Sequence, residues 1–297
     1  MSQPPLATSG DATAPAGDFV LVLSCPDRPG IVHAASGFLL GHGGNILESQ
    51  HFRDPLSGRY FMRIVFETPG TKDVDALRAD FAAVAEEFDM EFELWEARAP
   101  YRTLILVSKH LHCLNDLLFR TSTGSLQIEV PAVVSNHPDA EPLVSSHGIP
   151  FHHIPVRQDS KPEAEAELLR LVQELDIELV VLARYMQVLS DSLCRELSGK
   201  AINIHHSFLP SFKGAKPYHQ AFDRGVKLVG ATAHYVTSDL DEGPIIEQDV
   251  LRVDHGYDQD QLVSAGRDVE AQVLSRAVRW HSQSRVLLNG HRTVVFR

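Results

Sequence analysis

Apolar residues recur along this chain with two different periods, and the pattern changes near residue 100. Before that point, the run Phe19 to Ser24 predicts a buried strand, and Pro26-Asp27-Arg28-Pro29-Gly30 a turn. Ile31 to Leu40 then predicts a helix closed by Gly41 and Gly43-Gly44. Asn45 to Phe52 and Arg59 to Glu67 predict two strands joined by the turn Asp54-Pro55-Leu56-Ser57-Gly58. Tyr60, Met62, Ile64 and Phe66 alternate against the other face of the second. Val74, Leu77, Phe81, Val84 and Phe88 recur at steps of three and four, an amphipathic helix, and Phe92 to Trp95 supplies a last strand. The order β-α-β-β-α-β is the split βαβ, ferredoxin-like plan.

From Arg102 the chain alternates strands with helices. Thr103 to Val107, Gln127 to Ser135, Leu179 to Leu182 and Ala201 to His205 predict strands. His110 to Phe119 and Lys161 to Glu174 predict helices between them. That alternation implies a mostly parallel sheet with right-handed crossovers. Leu228 to Val236 predicts a further strand. Asp258 to Trp280 predicts a long helix with Leu262, Val269, Val273, Ala277 and Trp280 facing inward, and Arg285 to Phe296 a hairpin about Asn289-Gly290. The expected division is a disordered tail over 1–17, one domain over 18–97 and a second over 101–297.

Composition narrows the function classes. Of 297 residues, 43% are hydrophobic and 22% charged, the profile of a globular protein. No apolar run reaches the roughly 18 residues a membrane helix needs, and the first residues lack a signal-peptide pattern. Cys25, Cys113 and Cys194 are widely spaced, so neither a disulfide framework nor a zinc knuckle is expected, and a cytoplasmic setting fits. A net charge of −12 argues against nucleic-acid binding but leaves small anions open.

The candidate chemistry lies between Ala201 and Gln248. Side chains alternate along a strand, so Asn203 and His205 share one face near its exit, with His206 on the opposite face. The loop Thr237-Ser238-Asp239-Leu240-Asp241-Glu242-Gly243-Pro244 offers three carboxylates. An amide, an imidazole and a carboxylate meeting at one point suit acyl-group chemistry at a carbonyl. A zinc site from His205, His206 and His219 is not expected, because the first two point apart.

Two resemblances sharpen this. Residues 19 to 96, through Cys25-Pro26-Asp27-Arg28-Pro29-Gly30-Ile31-Val32 and Gly44-Asn45-Ile46, resemble the ACT domain, a regulatory module that binds amino acids. The resemblance implies an amino-acid effector site at Asp27, Arg28 and Gly30, and homo-oligomer formation through the module. Of the two, pairing is the stronger expectation. Asn203-Ile204-His205-His206-Ser207-Phe208-Leu209-Pro210, with His234 and Asp241 in Leu240-Asp241-Glu242-Gly243-Pro244, resembles the formyltetrahydrofolate-dependent formyltransferase family. That resemblance implies a Rossmann-like α/β domain in which Asn203, His205 and Asp241 are catalytic, acting on a folate substrate with no other cofactor and no metal. It also implies that Ala183 to Ser190 receives the pterin, through Met186, Gln187 and Leu189. Arg184, Lys213 or Lys216 would meet the anionic glutamate tail. His234 is either a partner of Asp241 or a plain strand residue; Asp239 and Glu242 are expected on the surface.

The acceptor of the formyl group divides this family. After the first strand, relatives that formylate glycinamide ribonucleotide carry a glycine-rich phosphate loop. Here Val107-Ser108-Lys109-His110-Leu111-His112-Cys113 contains no glycine. Relatives that formylate initiator tRNA append a basic domain. Water is therefore the expected acceptor, giving hydrolysis of 10-formyltetrahydrofolate to formate, which supplies purine synthesis and balances the one-carbon folate pool. Transfer to another acceptor, or a non-catalytic folate or amino-acid sensor, are the alternatives.

Overall fold

The computed structural model describes residues 18–70, 73–97, 99–157, 159–210 and 217–297; the expected tail over 1–17, and Lys213 and Lys216, lie outside them. Two compact units part between Ala99 and Pro100.

The first unit runs β1 (Phe19–Pro26), α1 (Ile31–Gly41), β2 (Asn45–Asp54), β3 (Arg59–Glu67), α2 (Val74–Phe88) and β4 (Glu91–Glu96). Its antiparallel sheet has the order β2-β3-β1-β4. The period-two residues of β1 and β3 (Leu21, Leu23, Met62, Ile64, Phe66) share one core with Ile31, Ala35 and Leu39 of α1 and Leu77, Phe81 and Phe88 of α2. Each of the Leu, Ile, Met and Phe side chains contributes about 1.5–3 kcal/mol on burial. One strand face and two helical stripes thus close against each other, as the two periods require.

The second unit opens with β5 (Tyr101–Val107), α3 (His112–Ser122), β6 (Ile128–Glu129), β7 (Val133–Ser135), α4 (Glu141–Ser146) and β8 (Phe151–His153). It continues through α5 (Lys161–Glu174), β9 (Leu179–Leu182), α6 (Asp191–Glu196), β10 (Ala201–His205), α7 (Pro217–Asp223), β11 (Leu228–Tyr235) and β12 (Ile245–Arg252). It ends with α8 (Gln259–Ser282), β13 (Val286–Asn289) and β14 (Arg292–Val295). The sheet order is β12-β11-β10-β9-β5-β7-β8, parallel from β10 to β8 and antiparallel where β11 and β12 join. All four residues of β9 are buried, as a strand covered on both faces requires. The single strand expected over Gln127 to Ser135 is two short ones. Pro131 has no N–H to offer a ladder, so pairing to β5 stops after Glu129 and resumes at Val133. Helix α8 starts in a capping box, Gln261 N–H donating to Asp258 Oδ1 at 2.8 Å and Asp258 N–H to Gln261 Oε1 at 2.9 Å. No described helix is long and apolar enough to cross a membrane.

Candidate active site

Strand β10 delivers Asn203 and His205 at the carboxyl end of the parallel strands, where open α/β sheets bind ligands. Antiparallel register sets Asn203 directly opposite His234 on β11. Paired positions put side chains on one face, and Asn203 Nδ2 lies 3.2 Å from His234 Nε2. His234 Nδ1 lies 2.9 Å from the Tyr235 carbonyl, an acceptor only, so Nδ1 carries the hydrogen there. At most one amide hydrogen of Asn203 is directed at His234 Nε2, which leaves the other for a ligand.

The loop between β11 and β12 returns the carboxylate. Tyr235 N–H donates to the Pro244 carbonyl at 2.9 Å, which pinches the loop shut beneath Asp241. Gly243 makes the pinch feasible: a Cβ there would lie 1.7 Å from the Tyr235 carbonyl oxygen. Asp241 itself takes a left-handed φ of 57°, a costly conformation for a residue with a Cβ. Its Oδ1 lies 3.2 Å from His205 Nδ1 and 3.8 Å from His234 Nε2. The His205 hydrogen bond, then His234, hold the Asp241 carboxyl well below the usual carboxylate range, so it is ionised at any neutral pH. His205 is 5% exposed, and its Nε2 meets no protein partner.

Asn203, His205 and Asp241 line one cavity of about 770 Å³, together with Arg184, Met186, Gln187, Leu189 and His234. That volume lies within the usual range for small-molecule sites. Met186, Val188 and Leu240 are exposed apolar residues at its edge. The segment behind them is fixed to β5: Met186 N–H donates to Ser108 Oγ at 2.9 Å, and Ser108 Oγ donates to Asn136 Oδ1 at 2.6 Å. Asp239 and Glu242 are exposed, as expected of surface carboxylates.

Comparisons with known proteins give the family. The Formyl transferase family model matches residues 101–278 and the ACT domain model residues 19–86. A formyltetrahydrofolate deformylase from Corynebacterium sp. (strain P-1) is 59% identical over 279 residues, 94% of this chain and 98% of that protein. The chain belongs to the formyltetrahydrofolate deformylase family. A member from Bacillus subtilis (strain 168) is 50% identical over 278 residues, covering 93% of each chain. The crystal structure of the deformylase from Burkholderia mallei ATCC 23344 superposes with a TM-score of 0.91 at 53% identity, over 95% of this chain and 100% of that one.

His206 does not lie where strand alternation predicts. It lines the same cavity as His205 instead of the opposite face, with ring centroids 5.2 Å apart. Strand β10 ends at His205, so strict alternation no longer governs the next residue. Burial, then the Arg184 charge, push the His206 imidazole down to about 3, and it is neutral. Pattern reading also misses a polar group in the same cavity. Glu270 of α8 is 1% exposed and accepts from His112 Nε2 at 2.8 Å and the Tyr218 hydroxyl at 2.7 Å. Arg184 Nε lies 3.4 Å from Glu270, so Arg184 is a buried, paired cation. One signal was available: Glu270 follows Leu262 and Gly266 at steps of four, an acid set beside the apolar stripe of α8.

The candidate effector residues lie in the first unit. Gly30 caps α1 with φ of 101°. Arg28 donates to the Glu87 carbonyl at 3.1 Å and stacks 4.3 Å over Phe88, while Asp27 pairs with Arg53.

Proposed function

We propose that this site hydrolyses 10-formyltetrahydrofolate to tetrahydrofolate and formate, with water as the acceptor. The observation that carries the proposal is the meeting of Asn203, His205 and Asp241 in one cavity edged with apolar residues. The formyl group on N10 is an amide, and water attack turns its oxygen into an oxyanion. The free amide hydrogen of Asn203 and a protonated His205 Nε2 are the donors for it; one such donor is worth ~10²–10³ in rate. Asp241 fixes the His205 ring through Nδ1 and holds the attacking water. A carboxylate held so low is a weak base in the free enzyme. It takes the water's proton only as the tetrahedral carbon forms, and the proton passes on to N10 as the C–N bond breaks. The pterin is assigned to Met186, Gln187, Leu189 and the backbone of the Thr237–Asp241 loop.

The unpartnered His205 Nε2 favours a second division of labour, in which neutral His205 removes the water's proton. The pH profile separates the two. An imidazolium donor loses activity as pH rises through its titration, and an imidazole base loses activity as pH falls through it. No step is routed through a metal. Among the described residues the cluster with ligand potential is His112, Cys113 and Glu270, and a cation there would face Arg184. Hydrolysis is tested by supplying 10-formyltetrahydrofolate and no other acceptor: formate must accumulate, and turnover only on adding an amine acceptor, with the formyl group recovered on that amine, would refute the reading.

For the first unit we propose pairing with a second copy of the chain and an amino-acid carboxylate on the backbone N–H groups after Gly30. Both follow from its ACT architecture, and Asp27 and Arg28 are already engaged by its own residues. Light scattering on the full chain tests the pairing; a monomer mass would refute it. Titration with amino acids, followed by calorimetry, tests the effector.

A further inference from the structure

Arg184 is not accounted for by its contacts. It is 8% exposed and sits two residues past the end of β9 with a left-handed φ of 65°. Its Nε and Nη1 are buried and meet no protein acceptor. Glu270 Oε2, 3.4 Å from Nε, balances the charge without an aligned hydrogen bond, and the two Glu270 oxygens already accept from Tyr218 and His112. A buried guanidinium with idle donors is costly unless something accepts from them. What that something is follows from the surroundings. Arg184 lines the same cavity as the catalytic candidates, and Arg267, which has no ion pair among the described residues, lines it too. A guanidinium fork matches the two oxygens of a carboxylate and binds a carbonyl or a water less well.

The hydrolysis proposed for this site creates such a group. Water adds its oxygen to the formyl carbon, the C–N10 bond breaks with its electron pair and a proton going to N10, and the acid ionises to formate. We propose that Arg184 forms a carboxylate subsite that takes the formate product within the reaction cavity. The inference rests on the hydrolytic reading above. The same chemistry has a second source, a carboxylate of the folate glutamate tail, but the burial of Arg184 against Glu270 favours a ligand of one carbon.

The test uses the full chain and sodium formate at fixed ionic strength. Inhibition of hydrolysis is measured alongside saturable line broadening of [13C]formate by NMR. Wild type is expected to bind formate, and Arg184→Lys to bind it at least ~10-fold more weakly, because the fork is lost. Arg184→Met combined with Glu270→Gln removes both charges together, so no lone charge is left buried, and is expected to abolish the broadening. Formate affinity unchanged in both variants would overturn the subsite. So would a KM that rises in Arg184→Lys for the natural substrate but not for a formylated pteroate lacking glutamate, with formate affinity intact; that result assigns the tail. A wild type that releases no formate from the folate overturns the hydrolytic reading instead, so the two failures are distinct.

Discussion

Gly243→Ala tests how the Asp241 carboxylate is placed. The new Cβ would lie 1.7 Å from the Tyr235 carbonyl oxygen, 2.8 Å from its carbon and 3.2 Å from His234 Nδ1. Ordinary carbon–oxygen contact begins near ~3.3 Å, so the loop has to yield by about 1.6 Å. The obstacle is backbone, and no side-chain rotation relieves it. The Tyr235 N–H to Pro244 bond at 2.9 Å lengthens first, and His234 loses its Nδ1 anchor on the same carbonyl. Asp241, two residues away, moves off His205, from which it now stands 3.2 Å. Misplacing a catalytic group by ~1 Å costs ~10²-fold, a barrier increase of about 2.7 kcal/mol. Steady-state kinetics should therefore show kcat lowered at least ~10²-fold, with a Tm lowered by a few degrees. Gly290→Ala is the control: φ is 62° and nothing lies within 4 Å, so it should cost ~1–2 kcal/mol of stability and leave kcat alone. A Gly243→Ala enzyme within ~3-fold of wild type would refute the argument.

Asp241→Asn should retain the fold by circular dichroism and lose at least ~10² in kcat/KM; near-normal turnover would remove Asp241 from its assigned role. Gly266→Ala would put a Cβ 2.2 Å from the Tyr218 ring and displace the hydroxyl from Glu270. It should lower Tm and weaken formate inhibition with a smaller loss of kcat than Gly243→Ala. Burial pushes His281 down to about 4 from an unfolded value near ~6.5. The unfolded chain therefore binds the proton first, and stability is lost as pH falls from ~6.5 towards about 4. Urea titrations at several pH values should show this slope, reduced in His281→Gln by at most one proton, ~1.4 kcal/mol per pH unit; an identical slope would contradict it.

The fold was legible wherever one period ran long enough. Tyr60, Met62, Ile64 and Phe66 alternate and do face the helices, and Leu77, Phe81 and Phe88 do form the buried stripe of α2. Short elements were not legible: β8 and α4 are too brief to repeat a period, and Pro131 cut one expected strand into two. Asn203 and His205 could be found because they share a strand face. Their meeting with Asp241 depends on a loop pinched at Gly243, which residue types alone do not reveal. The Glu270 group was hidden for another reason. His112, Arg184, Tyr218 and Glu270 come from four separate segments, so no spacing links them. His206 was misassigned because alternation was carried one residue past the end of β10.

The most direct test of the account follows the oxygen. Turnover of 10-formyltetrahydrofolate in H₂¹⁸O, with no amine or alcohol acceptor present, should give tetrahydrofolate and formate carrying one ¹⁸O from solvent, at a rate that collapses in Asp241→Asn. Unlabelled formate, or no turnover until a second acceptor is added, would contradict water as the nucleophile.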